Sequence, residues 1–568
     1  MKKNISGIFL IALLAMFIIG VSTVFAETKT PAISVDGVPL VPSSPLILEK
    51  GSFMIAIDDL GMILNANTNW NATRESVYIQ KHGKTILFKI AENVILKNAK
   101  PFELTVGPRL VGEIFYVPLR KIIEGLGAKV NWDEKNYQIQ IKTGERFMPP
   151  ETLEREAFNA MVAYTDNGHL WLLDGREENS QPKMITDTGY AELIGWSNDG
   201  QWLAYKYFAK GRSEEAFLWV VSADGSHNRP IDTVPVYDNY QWSPNENKIA
   251  YTTYGDTDSG FVPTGVVKCA DITESTIHIT NLMKDNTIAI PSIAWHPEGK
   301  SLSISIPRTK NKPPTIEMLD LNGTRKIIYT YKDNETVDFE NIYLKAFISL
   351  KWSLDGQYIA YHTSSNSASI AADFVGTALL DTESMKVEEL SGGLKYKGWM
   401  DFSPDSKMFS YIKGAGRDVQ YNKALELVSL ADGAVNNPGE ENHADSQLVW
   451  IKGNPIKLLY CSAPKDKKAF DSADLPGVFV PGQRIYGLSE EGVAAITKDK
   501  NDTADYFPNI SKDGNQLIFL RLSRYDQGSI YIQPFNEPQN AIEILRGIRG
   551  SAGYYGNYYP EWIKVHWY

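Results

Sequence analysis

The chain has 568 residues, 43% hydrophobic and 22% charged, with 13 Trp, 29 Tyr and 22 Phe; this is too long for one core, so two or more domains are expected. Its formal charge is −11, and −13 without Lys2 and Lys3 of the first 26 residues, which argues against sequence-independent binding to nucleic acid or other anionic polymers. Two cysteines, Cys269 and Cys461, exclude a disulfide framework; a single bridge between them is the lesser alternative to two thiols, each beside an apolar stretch.

Residues 1–26 read as an export signal. Lys2 and Lys3 precede an apolar run from Ile8 to Gly20, and Val24-Phe25-Ala26 offers small residues for cleavage after Ala26. An uncleaved anchor is the alternative. No cysteine lies near for lipid attachment, and no later segment is apolar for long enough to span a bilayer, so no stable membrane span is expected after cleavage. The expected location is extracellular or cell-wall associated, on a bacterial surface.

Residues 30–144 contain one unit used twice. A shift of 62 positions lays Phe53-Met54-Ile55-Ala56-Ile57 on Phe115-Tyr116-Val117-Pro118-Leu119, Leu64 on Leu126, Asn69-Trp70 on Asn131-Trp132, and Val77 and Ile79 on Ile139 and Ile141. The second copy predicts a strand at 116–119 and a helix at 120–125 with Ile122, Ile123 and Leu126 at helical spacing. Gly127 stops the helix, and two alternating strands follow at 128–132 and 137–141. This is a small α+β domain.

The phrases Tyr116-Val117-Pro118-Leu119-Arg120, Gly125-Leu126-Gly127-Ala128 and Val130-Asn131-Trp132-Asp133 resemble the N-terminal, stalk-like domain of copper amine oxidases. The first copy departs from the pattern with Ala56, Asp58 and Asn65 at the proline, arginine and glycine positions. The resemblance implies an extracytoplasmic spacer or attachment module. The oxidase chemistry of that family needs a modified tyrosine in an Asn-Tyr-Asp/Glu context and three copper-binding histidines. Here Asn239-Tyr240 precedes Gln241, Asn557-Tyr558 precedes Tyr559, and no His-x-His pair occurs. Neither a metal nor a cofactor is expected. Residues 145–157, with Pro149-Pro150 and mixed charge, read as a linker.

Residues 158–568 repeat a ten-residue phrase. It reads Trp196-Ser197-Asn198-Asp199-Gly200-Gln201-Trp202-Leu203-Ala204-Tyr205 and returns from Trp352 as Trp-Ser-Leu-Asp-Gly-Gln-Tyr-Ile-Ala-Tyr, with weaker copies from Trp242, Trp295, Phe402, Trp450 and Ile510. The spacing of 46 to 60 residues suits four-stranded propeller blades. In each unit the aromatic anchor ends an inner strand. Ser-x-Asp-Gly makes a turn in which Asp and Ser bond the backbone and Gly supplies positive φ. Leu-Ala-Tyr or Ile-Ala-Tyr begins a strand buried on both faces. A partial unit (Met161–Tyr164, His169–Leu173, Lys183–Thr186) lacks an inner strand, and Tyr559–Ile563 reads as an inner strand without partners. Their pairing would close a ring of eight blades; seven is the alternative, because the Trp450 copy is poorly formed. The fold class is therefore mainly β, a C-terminal β-propeller preceded by the small duplicated α+β stalk.

The repeats resemble those of TolB-like propellers and of the propeller half of dipeptidyl-peptidase-type proteins, across about residues 158–568. No hydrolase domain is expected after the repeats, and Gly195-Trp196-Ser197-Asn198-Asp199 lacks the second glycine of a nucleophile elbow, so no catalytic residue is expected. Asp199, Asp355, Asp405 and Asp513, and His296 at the serine position, read as turn residues. Asp256-Thr257-Asp258-Ser259-Gly260 lacks the distal Glu of a calcium loop, Lys500 interrupts Asp499–Asp505, and Glu440–Asp445 is a polar loop; each is expected to be a solvated loop rather than a metal site. Long connections at 253–267, 362–376, 412–423 and 461–484 carry the candidate ligand-contacting aromatics Phe261, Tyr421, Phe470 and Phe479. Packing of these loops on one another is the alternative. The Gly- and Tyr-rich stretch 547–559 is a further candidate lining of one ring face.

The expected function is binding: a cell-surface or secreted scaffold whose propeller holds an envelope protein, peptide or glycan, with the stalk as spacer or attachment. The alternatives are a glycan hydrolase or lyase with paired carboxylates in the central funnel, and a scaffold for an envelope complex with an apolar propeller face.

Overall fold

The structure is a computed structural model that describes residues 30–568 apart from 41, 43, 65–66, 72–75, 82–83, 90–93, 98–99, 112–113, 144–150, 210–214, 258–259, 286, 333–343, 397, 417–418, 420, 453–455, 466–478, 525–526 and 551–560. The expected export signal, residues 1–26, lies outside these residues. No described helix is long and apolar enough to cross a membrane.

The duplication in the stalk is a strand-helix-strand-strand unit: 52–56, 57–64, 67–71 and 76–81 in the first copy, 114–118, 119–125, 129–133 and 138–142 in the second. The first strands of the copies pair antiparallel, Tyr116 with Ala56, Val117 with Ile55 and Pro118 with Met54. Ile55 and Val117 are equivalent positions, so a local twofold axis passes through that pair and buries both copies against one core. The two helices contribute Leu60, Ile63, Ile122 and Ile123 to it, the apolar face that their spacing specifies.

Among the described residues the repeats form eight radial sheets. Blade 1 joins the two ends of the repeat region: strands 160–166, 169–174 and 183–184 with strand 563–567. Blades 2 to 8 take their first strands at 190–196, 236–242, 293–295, 344–352, 400–402, 443–450 and 504–510. Blades 5 and 6 also share one backbone pair, Gly393 with Lys413. A Cβ at Gly393 would lie 2.4 Å from the Ile412 carbonyl oxygen, so only glycine permits this approach.

The second strand of each blade alternates between two neighbours. Ala160, Val162 and Tyr164 pack toward blade 8, while Met161 and Ala163 pack against Ala191, Leu203 and Tyr205 of blade 2. Ala204 faces blade 3. Burial on both faces explains why Leu-Ala-Tyr runs are apolar throughout.

Ring closure pairs Ala160 with Trp567, Val162 with Val565 and Tyr164 with Ile563. The closing strand is 563–567, four residues beyond the expected 559–563. The anchor position, opposite Val162, is held by Val565, which lacks the aromatic ring that marks most other copies. Two further contacts hold the seam. The Arg549 guanidinium meets the buried Asp166 carboxylate at 3.0 Å. The described part of the segment expected as linker, from Glu151, is a strap: Glu151 and Thr152 add a fifth strand to blade 8, opposite Arg546 and Leu545. Arg155 then donates from its backbone to Asn179 and from its guanidinium to Ser180 of blade 1, at 2.8 and 2.7 Å. The strap covers an outer strand edge that would otherwise be open.

The anchor indoles clasp one blade to the one before. Trp242 Nε1 donates to the Gly195 carbonyl and Trp295 Nε1 to that of Gln241, both at 2.9 Å. Trp196 Nε1 donates across the seam to Lys564 O at 3.1 Å. Trp352 and Trp450 reach the same position through Ser303 and Ser410, whose hydroxyls bond the carbonyls of Ala294 and Asp401.

The Ser-x-Asp-Gly turns are built as read. Ser197 Oγ donates to Asp199 at 2.7 Å and accepts from Trp202 N, and Asp199 accepts from Gln201 N. Ser353–Asp355, Ser403–Asp405 and Ser511–Asp513 repeat this arrangement. The hydroxyl of Ser403 holds the Asp405 carboxylate below its usual pKa, as that of Ser511 does for Asp513. Gly200 has φ +72° and lies under His566 of the closing strand, whose ring would be 2.2 Å from a Cβ there. Cys269 and Cys461 are buried and free.

One buried and three half-buried histidines should give the ring a pH dependence. His362 is 3% exposed, contacts Thr377 Oγ1 through Nδ1 at 3.2 Å, and is pushed down to about 4 by burial. Burial also lowers His169, His296 and His566. Their folded pKa values lie below the unfolded value of about 6.5, so the neutral rings contribute stability above that pH, and it is lost as pH falls toward 4. Chemical denaturation of the full chain should show stability falling across this window, by about 3 kcal/mol for His362 alone. A His362→Leu variant should show a shallower slope; equal slopes would contradict the assignment.

Candidate functional site

In each antiparallel blade, the start of the first strand lies beside the end of the second. The connections from second to third strand leave from that same side, opposite the Ser-x-Asp-Gly turns. The long connections are therefore gathered on one face of the ring.

On this side, blades 2 and 3 bring together Glu192 and Asp238 from their first strands and Lys206 from the second strand of blade 2. Lys206 Nζ lies 2.7 Å from Glu192 Oε2 and 3.1 Å from Asp238 Oδ1. The two oxygens that share it thus lie within about 5.8 Å of each other, the sum of the two contacts. Burial alone would depress the Lys206 ammonium, but Tyr240, Glu192 and Asp238 together hold its pKa above the usual value. Its charge also sits 5.5 and 5.9 Å from the ring centres of Phe208 and Tyr240. Tyr190 meets Phe208 edge-on at 6.1 Å, and Tyr237 meets Tyr254 edge-on at 5.3 Å. Glu192 is largely buried, whereas the Asp238 side chain is 76% exposed. The cluster presents one solvated carboxylate in an aromatic frame, over a lysine that neutralises its partner.

Blade 7 carries a second chain of polar groups. Glu440 Oε2 lies 3.3 Å from His443 Nε2, His443 Nδ1 lies 3.2 Å from Ser462 Oγ, and Ser462 donates to Asp445 at 2.6 Å. The order resembles that of a nucleophile relay, but the chemistry does not fit one. The Ser462 proton goes to Asp445, so the hydroxyl accepts from the histidine rather than delivering a proton to it. Asp445 is buried, which raises its pKa, and accepts from Leu425 N as well. Ser462 is 1% exposed. The expected polar loop at Glu440–Asp445 is in part the start of an inner strand, 443–450.

The remaining sequence candidates separate. Phe261 lies in the third strand of blade 3, its backbone opposite Asp256: the expected connection at 253–267 is mostly a long hairpin of strands 248–257 and 260–272. Tyr421 is half-buried in the connection of blade 6. Phe479 is 8% exposed and belongs to the core shared by blades 1, 6, 7 and 8, so it is a packing residue. Phe470 lies outside the described residues, as does 551–560 of the Gly- and Tyr-rich stretch. The connection at 362–376 contains a short helix, 368–373, beside exposed Phe374. Asp505 and Asp499 are held by Arg521, at 2.6 and 3.3 Å. No cluster of three metal-ligating side chains occurs among the described residues.

Residues 34–141 match the family model of the copper amine oxidase N-terminal domain. No curated protein matches the chain. Similar solved structures include TolB from Acinetobacter baumannii, 16% identical over 66% of this chain and 79% of that one, TM-score 0.32. Prolyl oligopeptidase B from Galerina marginata is 12% identical over 64% and 52%, TM-score 0.40, so the chain spans about half of its length. An oligogalacturonate lyase in complex with manganese is 10% identical over 68% and 97%, TM-score 0.37. The match to the copper amine oxidase N-terminal domain covers both copies of the duplicated unit. The propeller architecture rests on the strand pairing described above.

Acids four residues before the anchors Trp196 and Trp242 mark Glu192 and Asp238. That shared offset is the signal in the sequence that could have found the cluster. Lys206→Met would leave Glu192 buried without its cation and facing Asp238. The expected cost is about 1–3 kcal/mol, reduced by the exposure of Asp238. A Glu192→Gln change in the same chain should restore part of it. Thermal unfolding of the two variants beside the unaltered chain checks this; no cost for Lys206→Met would contradict the coupling.

Proposed function

We propose that this chain is an exported binding or scaffold protein of the bacterial cell surface. Its propeller holds a protein, peptide or glycan partner on the side that carries the long connections, and its stalk acts as spacer or attachment. Lys2, Lys3, the apolar run Ile8–Gly20 and Ala26 support export. The observation that carries the binding role is the Glu192–Lys206–Asp238 cluster. Asp238 offers a solvated acceptor among Tyr237, Tyr240 and Tyr254, whose rings supply contact area at small entropic cost.

The same cluster bears on a glycan hydrolase or lyase reading. A separation of about 5–5.5 Å between carboxyl groups suits a retaining glycosidase. Here an ammonium occupies the space between the two oxygens and bonds both, where a scissile bond would have to lie. This favours binding over hydrolysis.

Glycan and peptide arrays probed with the full chain, beside Asp238→Asn and Tyr254→Ala variants, test the proposal. The expected result is a ligand class whose binding falls at least about tenfold in both variants. Bond cleavage in the bound ligand, lost in Glu192→Gln, would establish the hydrolase instead. Equal binding by all three proteins would remove the cluster from the site.

A further inference from the structure

The stalk contains a groove of about 350 Å³, within the size range of small-ligand sites. Its lining includes Phe53, Thr105, Arg120, Lys121, Asn131 and Trp132, and among all its lining residues there are two cations and no carboxylate. Trp132 is 37% exposed. Phe53 packs against it at 5.7 Å, tilted by 33°, and Tyr137 meets it edge-on at 5.1 Å. The indole plane is thus fixed while part of its surface stays open. Arg120 and Lys121 are consecutive and exposed. The ion pair of Arg120 with Glu124, at 3.9 Å between exposed groups, costs little to give up.

The charge of the chain is unevenly divided. Residues 30–143 carry 13 Lys and Arg against 11 Asp and Glu, net +2, whereas residues 144–568 carry 41 against 56, net −15. The overall acidity that argues against polyanion binding therefore belongs to the propeller region, not to the stalk.

We propose that this groove binds an anionic glycan: a sugar ring stacks its C–H face on Trp132 while Arg120 and Lys121 hold a carboxylate substituent of that sugar. The guanidinium fork matches a carboxylate geometrically. A ring that bears its own carboxylate engages the indole and the cations together. An acyclic polyol phosphate engages the cations and leaves Trp132 unused, so the uronic-acid type of sugar is the occupant the site fits. This deepens the attachment role proposed for the stalk by naming what it attaches to. Binding by the groove and location on the cell are separate readouts, so either can fail alone.

Calorimetric titration of the full chain with an oligouronate, a neutral oligosaccharide of equal length, polyglycerol phosphate and single-stranded DNA tests it. The oligouronate should bind, and the neutral oligosaccharide should bind at least about tenfold more weakly. Trp132→Ala and the double variant Arg120→Gln, Lys121→Gln should each lower oligouronate affinity at least about tenfold, and Trp132→Phe should retain more affinity than Trp132→Ala. All three alter exposed positions, and unchanged melting curves will establish that they fold. Oligouronate binding unaffected by Trp132→Ala, equal binding of polyglycerol phosphate or DNA, or no oligouronate binding by the folded chain would each overturn the proposal.

Discussion

The architecture depends on a single strand pairing, that of residues 160–164 with 563–567. Radial sheets bury their second strands on both faces, so each blade needs a neighbour on either side. Without the closing strand, Ala160, Val162 and Tyr164 would lose the inner-strand partner that ties them to the blade 8 side of their core. An unpaired strand edge would also be open on each side of the seam. The other seam contacts act together with this pairing. Trp196 donates to Lys564 of the closing strand, Arg549 neutralises buried Asp166, and the strap at 151–158 bridges the outside of blades 8 and 1.

Much of this was legible because it repeats. A turn that needs positive φ and an acceptor two residues after a serine leaves Ser-x-Asp-Gly in the chain, and burial on two faces leaves Leu-Ala-Tyr. The closing strand was placed four residues early because its anchor position is Val565 rather than an aromatic, and no Ser-x-Asp-Gly phrase follows it. The strap was read as a linker because two strand residues between polar neighbours have no period to detect. In the stalk, a fixed offset of 62 revealed the duplication, but not that equivalent residues Ile55 and Val117 pair across a local axis.

Function was less legible, for a physical reason. Glu192, Lys206 and Asp238 come from three strands of two blades, and their meeting follows from how blades converge rather than from any local pattern. Phe479 illustrates the converse. An aromatic between long polar stretches suggested an exposed contact, yet its ring fills the core shared by four blades. Loop aromatics carry no mark in sequence that tells packing from display. Charge is similarly averaged: the whole-chain value conceals a stalk and a propeller region of opposite sign.

Closure can be tested by crosslinking the paired strands. Val162 and Val565 are directly opposed, and cross-strand Cα atoms about 4.5–5.5 Å apart are within reach of a disulfide. A chain carrying Val162→Cys and Val565→Cys should oxidise within one molecule, leave Cys269 and Cys461 as thiols, and unfold at a higher temperature than its reduced form. If both new cysteines stay reactive toward thiol reagents in the folded chain, or pair between molecules instead, the ring is not closed in this way.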